Sequence, residues 1–323
     1  PYRLSGLMDP DLLQRLPHDL APIERFNLVS DVWAATKSGL VPLDRYLDLT
    51  ATFRQERDKN VWTVLLGSFS TLNHIIDPAT RPLLEALVRD RVGPLAGELG
   101  WEPKPGESEL ITQLRGDLLR ALGMLGNDQT VKAKAEELFA EYGKPAGTKV
   151  DPNLWPAVVG TLAHHGDLHR YDEFTERYRK PETPQEERRF LFSLTSFQPI
   201  ALLQRTLDHT LDGDIRTQDG PFIISSIMGS VYGRELGWTF VKQQWDELDK
   251  RFPKQGLRRM CGGITGLATP ELEADVRRFF AERNIDLGGK TLAQYLEQLR
   301  IMVSFKQAAM ESLTAYLTQL AKH

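Results

Sequence analysis

Two segments decide how this chain is read: "LLRALGMLGNDQTVKAKAEELFAEYG", from Leu118 to Gly143, and "VVGTLAHHGDLHRYDEFTERYRK", from Val158 to Lys180. In the first, Val131, Ala135, Leu138, Phe139 and Tyr142 recur at the offsets of one helix face. Asn127 or Asp128 can cap the start of that helix, and Gly143 can end it. The second segment repeats the phrase with Leu168, Tyr171, Phe174 and Tyr178 on its apolar face. Gly126 and Gly166 hold the same place in the two phrases, about 40 residues apart, within the period of stacked helix pairs. Each unit is therefore expected to be two amphipathic helices joined by a tight turn.

The punctuation recurs at "IIDPAT", "MLGNDQ", "AHHGDL", "SFQPIA" and "LATPEL". In "TPELEADVRRFFAERN", Thr269 suits the cap and Pro270 the first helical position, with Leu272, Val276, Phe279 and Phe280 apolar. "DPATRPLLEALVRDRVG" predicts the same device with Asp77 and Pro78. Period-two alternation is scarce. One face of every pair must be covered by its neighbour, so the expected fold is all-α: a HEAT/armadillo-like α-α superhelix, a curved solenoid forming a bowl.

The chain has 323 residues, 41% hydrophobic and 26% charged, which suits a folded protein with a substantial core. Its 40 basic and 44 acidic residues nearly cancel to −4, with none of the basic surplus that marks nucleic-acid binding. Apolar runs such as "FIISSIMG", from Phe222, are too short to span a bilayer. No nucleic acid and no membrane span are expected. Cys261 is the single cysteine, which rules out an intrachain disulfide and a multi-cysteine zinc site. A reducing compartment is compatible with that, and a cytoplasmic setting is the expectation. The opening "PYRLSGLMDP" has neither an initiator methionine nor a leader, so the chain is expected to be part of something longer.

"HHGDLH", from His164 to His169, admits two readings. His165 and His169 are four apart and would share a helix face, as zinc ligands do. Gly166 and Asp167, however, read as stop and start signals, which places the histidines around a turn. The repeat phase favours the turn, and no third ligand is nominated nearby.

Four longer phrases go beyond generic helix pairs. They are "ERFNLVSDVWAATKSGLVPLDRYLDLTATFRQERDKNVW" (Glu24 to Trp62, with Asp31, Tyr46, Leu47 and Glu56), "GWEPKPGESELITQLRGDLLRAL" (Gly100 to Leu122), "EERRFLFSLTSFQPIALLQRTLDHTLDGDIRTQD" (Glu186 to Asp219) and "GRELGWTFVKQQWDEL" (Gly233 to Leu248). In this order they resemble the C-terminal domain of the aminopeptidase N-like zinc metallopeptidases, the gluzincin group that includes the endoplasmic-reticulum aminopeptidases. Gln244 stands where asparagine is usual, and Phe305 and Tyr316 stand where tryptophans are frequent. Tyr2 and Arg3 fit the tail of the preceding β-sandwich, which gives a division into residues 1–10 and a single helical domain over 11–323.

The resemblance implies a role by position. In that family the helical domain is a bowl over the zinc-bearing catalytic domain and encloses a chamber for peptides. The implied partners are the metallopeptidase and β-sandwich domains of the same parent chain and a peptide substrate, with zinc held in the parent. The family's H-E-x-x-H is absent: the spacing at His165 reads H-G-D-L-H, with Gly166 where the general-base glutamate would stand. This chain is therefore expected to hold no metal or cofactor and to cleave nothing by that mechanism.

Arg54 and Arg216, in the phrases that approach the chamber in the family, are candidates for a peptide's carboxylate, with Gln218 beside the second. The bland reading of all three is solvated charge or turn formation. Trp62, Trp238 and Trp245 read as core, and Cys261 as a buried thiol. A free-standing helical scaffold that binds a protein partner through its concave face is the other functional reading.

Overall fold

The computed structural model describes residues 15, 19–142, 150–285 and 287–322. Every regular element among them is helical, as expected: fifteen α-helices and two short 3-10 turns at 194–196 and 262–266. Tyr2, Arg3 and Gly143 lie outside the described residues. All five punctuation phrases fall between consecutive helical elements. Side-chain oxygens cap the start of several helices: Asp128 accepts from the backbone N–H of Thr130 and Val131, and Thr269 from that of Leu272.

The chain divides into two compact units, one from the described residues of 1–162 and 307–323, the other over 163–306. The first contains α1 (Pro22–Lys37), α2 (Leu43–Ala51), α3 (Lys59–Ile75), α4 (Arg81–Leu99), α5 (Glu109–Met124), α6 (Gln129–Ala140) and most of α7 (Trp155–His164). Helix α1 packs on α3 and α3 on α5, while Arg91 of α4 reaches Thr50 of α2. Each helix thus meets the next but one, and the apolar stripes close on one another. Tyr46, Leu47, Phe53, Trp62, Phe69 and Leu118 are fully or almost fully buried. Glycine sets the closest approach: a Cβ on Gly123 of α5 would stand 2.0 Å from Oγ1 of Thr161 on α7. The residues of α15 (Thr291–Leu320) from 307 onward complete this unit.

The second unit contains α8 (Leu168–Arg179), α9 (Pro184–Ser193), α10 (Ile200–Asp212), α11 (Gly220–Met228), α12 (Arg234–Arg251), α13 (Lys254–Cys261) and α14 (Pro270–Glu282). The same next-but-one contacts recur, α10 with α12 and α11 with α13. Trp238, Trp245, Phe279 and Phe280 pack as one aromatic cluster between α12 and α14, with Trp238 5.1 Å from Phe279 in edge-to-face geometry.

Two local expectations differ. Asp77 and Pro78 do not open α4: Thr80 and Arg81 donate to the Asp77 carbonyl in a separate turn, and Pro82 takes the early helical position. Two prolines four apart both satisfy the rule for a helix start, and the second governs. Leu168, placed on the buried face of α8, is 54% exposed, because it is the first helical residue and lies short of the neighbour that covers Tyr171 and Phe174.

Candidate functional site

Arg54 follows α2 in a turn and pairs through Nη2 with Asp90 of α4. Asp90 also pairs with Arg91, whose side chain is only 2% exposed. Arg91 sends Nε to Oγ1 of Thr50 at 3.3 Å and Nη2 to the Tyr316 hydroxyl at 3.4 Å. That hydroxyl donates in turn to Oδ1 of Asp48 at 3.1 Å. The chain Asp48–Tyr316–Arg91–Asp90–Arg54 thus runs from a partly exposed carboxylate to a partly exposed guanidinium through a buried cation. Burial pushes the Arg91 guanidinium down, against Tyr316, and pushes the Tyr316 hydroxyl up, against Arg91.

Above the Asp48 end lies an open cavity of about 530 Å³, lined by Asp44, Asp48, Ser312, Tyr316 and Gln319 with Ala315 and Leu320. The Tyr316 hydroxyl donates to Asp48, and burial pushes its pKa up, away from a nucleophilic phenolate. A second open cavity, of about 390 Å³, lies between α3 and α5 and is lined by Thr63, Leu66, Ser70, Asp117, Arg120 and Met124, among others. Burial raises the Asp117 carboxyl there, against the opposing charge of Lys59.

Arg216 and Gln218 lie in the turn that leads from α10 to α11. The Arg216 carbonyl accepts from the N–H of Asp219 at 2.9 Å and of Gly220 at 3.0 Å, which makes this segment a turn first. Arg216 pairs with Glu187 of α9 while its side chain stays 58% exposed. Gln218 is exposed; Asp219 is buried, with Oδ1 3.8 Å from Arg188. Arg216 and Gln218 share this turn in the second unit, whereas Arg54 belongs to the first.

The other candidates resolve toward structure. Asp167 caps α8, accepting from the Arg170 N–H, and His164 ends α7 with its ring edge-on to Tyr232 at 5.6 Å. His165 and His169 therefore flank a turn and do not share a helix face. Among the described residues no group of three or more His, Cys, Asp or Glu side chains is arranged to hold a metal ion, so this donor set does not fit the zinc site that the resemblance implies for the parent. Trp62, Trp238 and Trp245 are buried, which removes them as an exposed stacking platform. Cys261 is 1% exposed, and burial pushes its thiol up to about 12 despite the neighbouring arginines in sequence.

Two buried ion pairs lie in the phrases that carry the resemblance. Glu56, between α2 and α3, accepts both Nε and Nη2 of Arg25 and the backbone N–H groups of Arg57 and Asp58, while its carbonyl accepts the Trp62 indole N–H at 2.6 Å. Glu107 holds the fully buried Arg115, with Nη2 to Oε2 at 2.7 Å, and Arg115 Nε also reaches the Leu99 carbonyl. Both acids are in quoted phrases, but their basic partners are not identifiable from spacing. A charged residue on an otherwise apolar helix stripe, as Arg91 and Arg115 are, was the available signal.

Comparison with known proteins places this geometry. The model of the ERAP1-like C-terminal domain matches residues 7–301. Aminopeptidase M1 of Arabidopsis thaliana is 27% identical over 314 residues, covering 94% of this chain and 36% of the relative. Aminopeptidase 2, mitochondrial, of Saccharomyces cerevisiae is 26% identical, with 93% and 32% covered, and the alanine/arginine aminopeptidase of the same yeast is 28% identical, with 92% and 35% covered. The chain thus spans about a third of the length of these curated relatives. No helix among the described residues is long and apolar enough to cross a membrane. With helical pairs throughout and a family match over nearly the whole length, the chain belongs to the ERAP1-like C-terminal domain family.

Proposed function

We propose that this chain is the non-catalytic helical domain of a zinc aminopeptidase, a bowl that caps the active-site chamber and takes part in binding and selecting the peptide. The observation that carries this reading is the match over residues 7–301 to a C-terminal domain family, in relatives named aminopeptidases of which the chain covers about a third. The missing H-E-x-x-H and the unsuited donor set support placing the zinc in another domain of the parent. Partners in this reading are the metallopeptidase and β-sandwich domains of the same parent chain and a peptide substrate. A cytoplasmic setting belongs to the same proposal.

Arg54, Arg216 and Gln218 are the proposed peptide contacts. Both arginines are neutralised by internal acids yet remain 40% and 58% exposed, so each has surface left for a carboxylate. The test is hydrogen–deuterium exchange of the chain with the parent's metallopeptidase region added in trans, followed by peptide hydrolysis with Arg54→Ala and Arg216→Ala. Protection on the chain, with KM raised and kcat little changed, is expected. No protection, or an upstream reading frame without H-E-x-x-H, overturns the domain role, and an unmoved KM withdraws the two arginines.

A further inference from the structure

Helices α9, α11 and α13 carry a row of exposed arginines and half-exposed phenylalanines that neither the core nor the proposed chamber contacts require. The Arg188 guanidinium lies 5.1 Å from the centre of the Phe192 ring, and that of Arg259 lies 4.2 Å from the centre of Phe222. The two rings meet edge to face, 6.2 Å apart. The row therefore reads guanidinium, ring, ring, guanidinium, across three adjacent helices. Arg188 is 65% exposed and, among the described residues, has only Asp219, at 3.8 Å, for a carboxylate. Arg259 is exposed and, among the described residues, makes no ion pair.

A guanidinium over a ring is held by the ring's negative face and loses less rotamer freedom when it binds. Stacking on the ring face leaves the N–H edge of the guanidinium free to match a carboxylate in two-pronged fashion. Two such edges separated by a half-exposed apolar pair select a ligand with anionic groups at its ends and an apolar group between them. Asp219 and the neighbouring Glu187 sit at the Arg188 end, a field that a doubly charged phosphate meets more unfavourably than a singly charged carboxylate.

We propose that Arg188, Phe192, Phe222 and Arg259 form a binding strip for a polypeptide segment in which carboxylates flank apolar side chains. This goes beyond the capping role and does not rest on it.

Fluorescence anisotropy with the 323-residue chain tests the strip, using a labelled peptide centred on Glu-Leu-Leu-Glu and its Gln-Leu-Leu-Gln analogue, with inorganic phosphate as competitor. The acidic peptide is expected to bind at least about tenfold more tightly than the analogue, and phosphate at equal concentration to leave it bound. Arg188→Gln and Arg259→Gln should each weaken binding about tenfold without moving the thermal unfolding midpoint, because both side chains are exposed. Arg259→Lys keeps the charge without the flat face and should recover only part of the loss. No binding of the acidic peptide, equal binding of the analogue, indifference to both glutamine variants, or displacement by phosphate overturns the proposal. None of these outcomes bears on the family membership or on docking to a catalytic domain.

Discussion

Arg25 of α1 and Glu56, 31 residues later, form a two-pronged ion pair with Nε–Oε2 at 2.5 Å and Nη2–Oε1 at 2.9 Å. The Glu56 side chain is 2% exposed and also receives two backbone N–H groups, so it ties the start of α1 to the turn that launches α3. Glu56→Ala strands a part-buried cation and two donors. It should cost about 3–5 kcal/mol, the range for breaking a buried pair. Denaturant unfolding followed by tryptophan fluorescence measures it; a loss below about 1 kcal/mol, the range of surface pairs, contradicts the buried-pair assignment.

Glu107 gives a pH prediction. Its hydrogen bond to Arg115 holds the carboxyl below the ordinary range, against the opposing effect of burial. A depressed carboxyl stabilises the fold above the unfolded value, about 4.3, and that stability is lost as pH falls through the folded value. Wild type should therefore lose stability in acid more steeply than Glu107→Gln, although the variant starts less stable at pH 7. Unfolding midpoints measured from about pH 2 to 7 decide this: parallel profiles count against it.

The α5–α7 crossing is set by a missing side chain. In Gly123→Ala the new Cβ would stand 2.0 Å from Thr161 Oγ1 and 2.9 Å from Thr161 Cβ, with both residues packed inside the first unit. Overpacking of this kind costs about 1–3 kcal/mol. Removing Oγ1 and Cγ2 in the double variant Gly123→Ala/Thr161→Ala, which keeps the Thr161 Cβ contact, should recover part of the loss. Additive losses in the double variant would show that the two positions do not meet.

Cys261 should behave as a reporter of opening. With the thiol buried and its pKa near 12, little nucleophilic thiolate exists at pH 8. A disulfide-exchange reagent should label it only as fast as the second unit opens, with the rate rising in denaturant. Labelling within seconds under native conditions would place the sulfur at the surface. Arg258, close in sequence, instead spends its Nε on the Leu287 carbonyl.

Helix periodicity and punctuation were legible because they are local. Asp128, Asp167 and Thr269 cap their helices through backbone groups two or three residues away, which spacing alone specifies. Pro78 against Pro82 was not decidable locally, and Leu168 depended on how far a neighbouring helix extends. The network from Asp48 to Arg54 was invisible for a further reason: Arg91 and Tyr316 read as a charge inside one apolar stripe and an aromatic in another. Their meeting is a fact of tertiary packing. The two predicted arginines were found exposed, but the acids that neutralise them, Asp90 and Glu187, come from other helices.

The bond between the Tyr316 hydroxyl and Asp48 joins positions 268 residues apart. On a ribosome adding about 5–20 residues per second, Asp48 and Arg91 emerge on the order of tens of seconds before their aromatic partner. Throughout that interval the nascent first unit carries the Arg91 guanidinium without its contact to Tyr316. Completion of the first unit thus waits on a residue translated 268 positions after Asp48. A chain stopped short of Tyr316 would leave that charge waiting permanently, an opening that quality-control proteases are well placed to find.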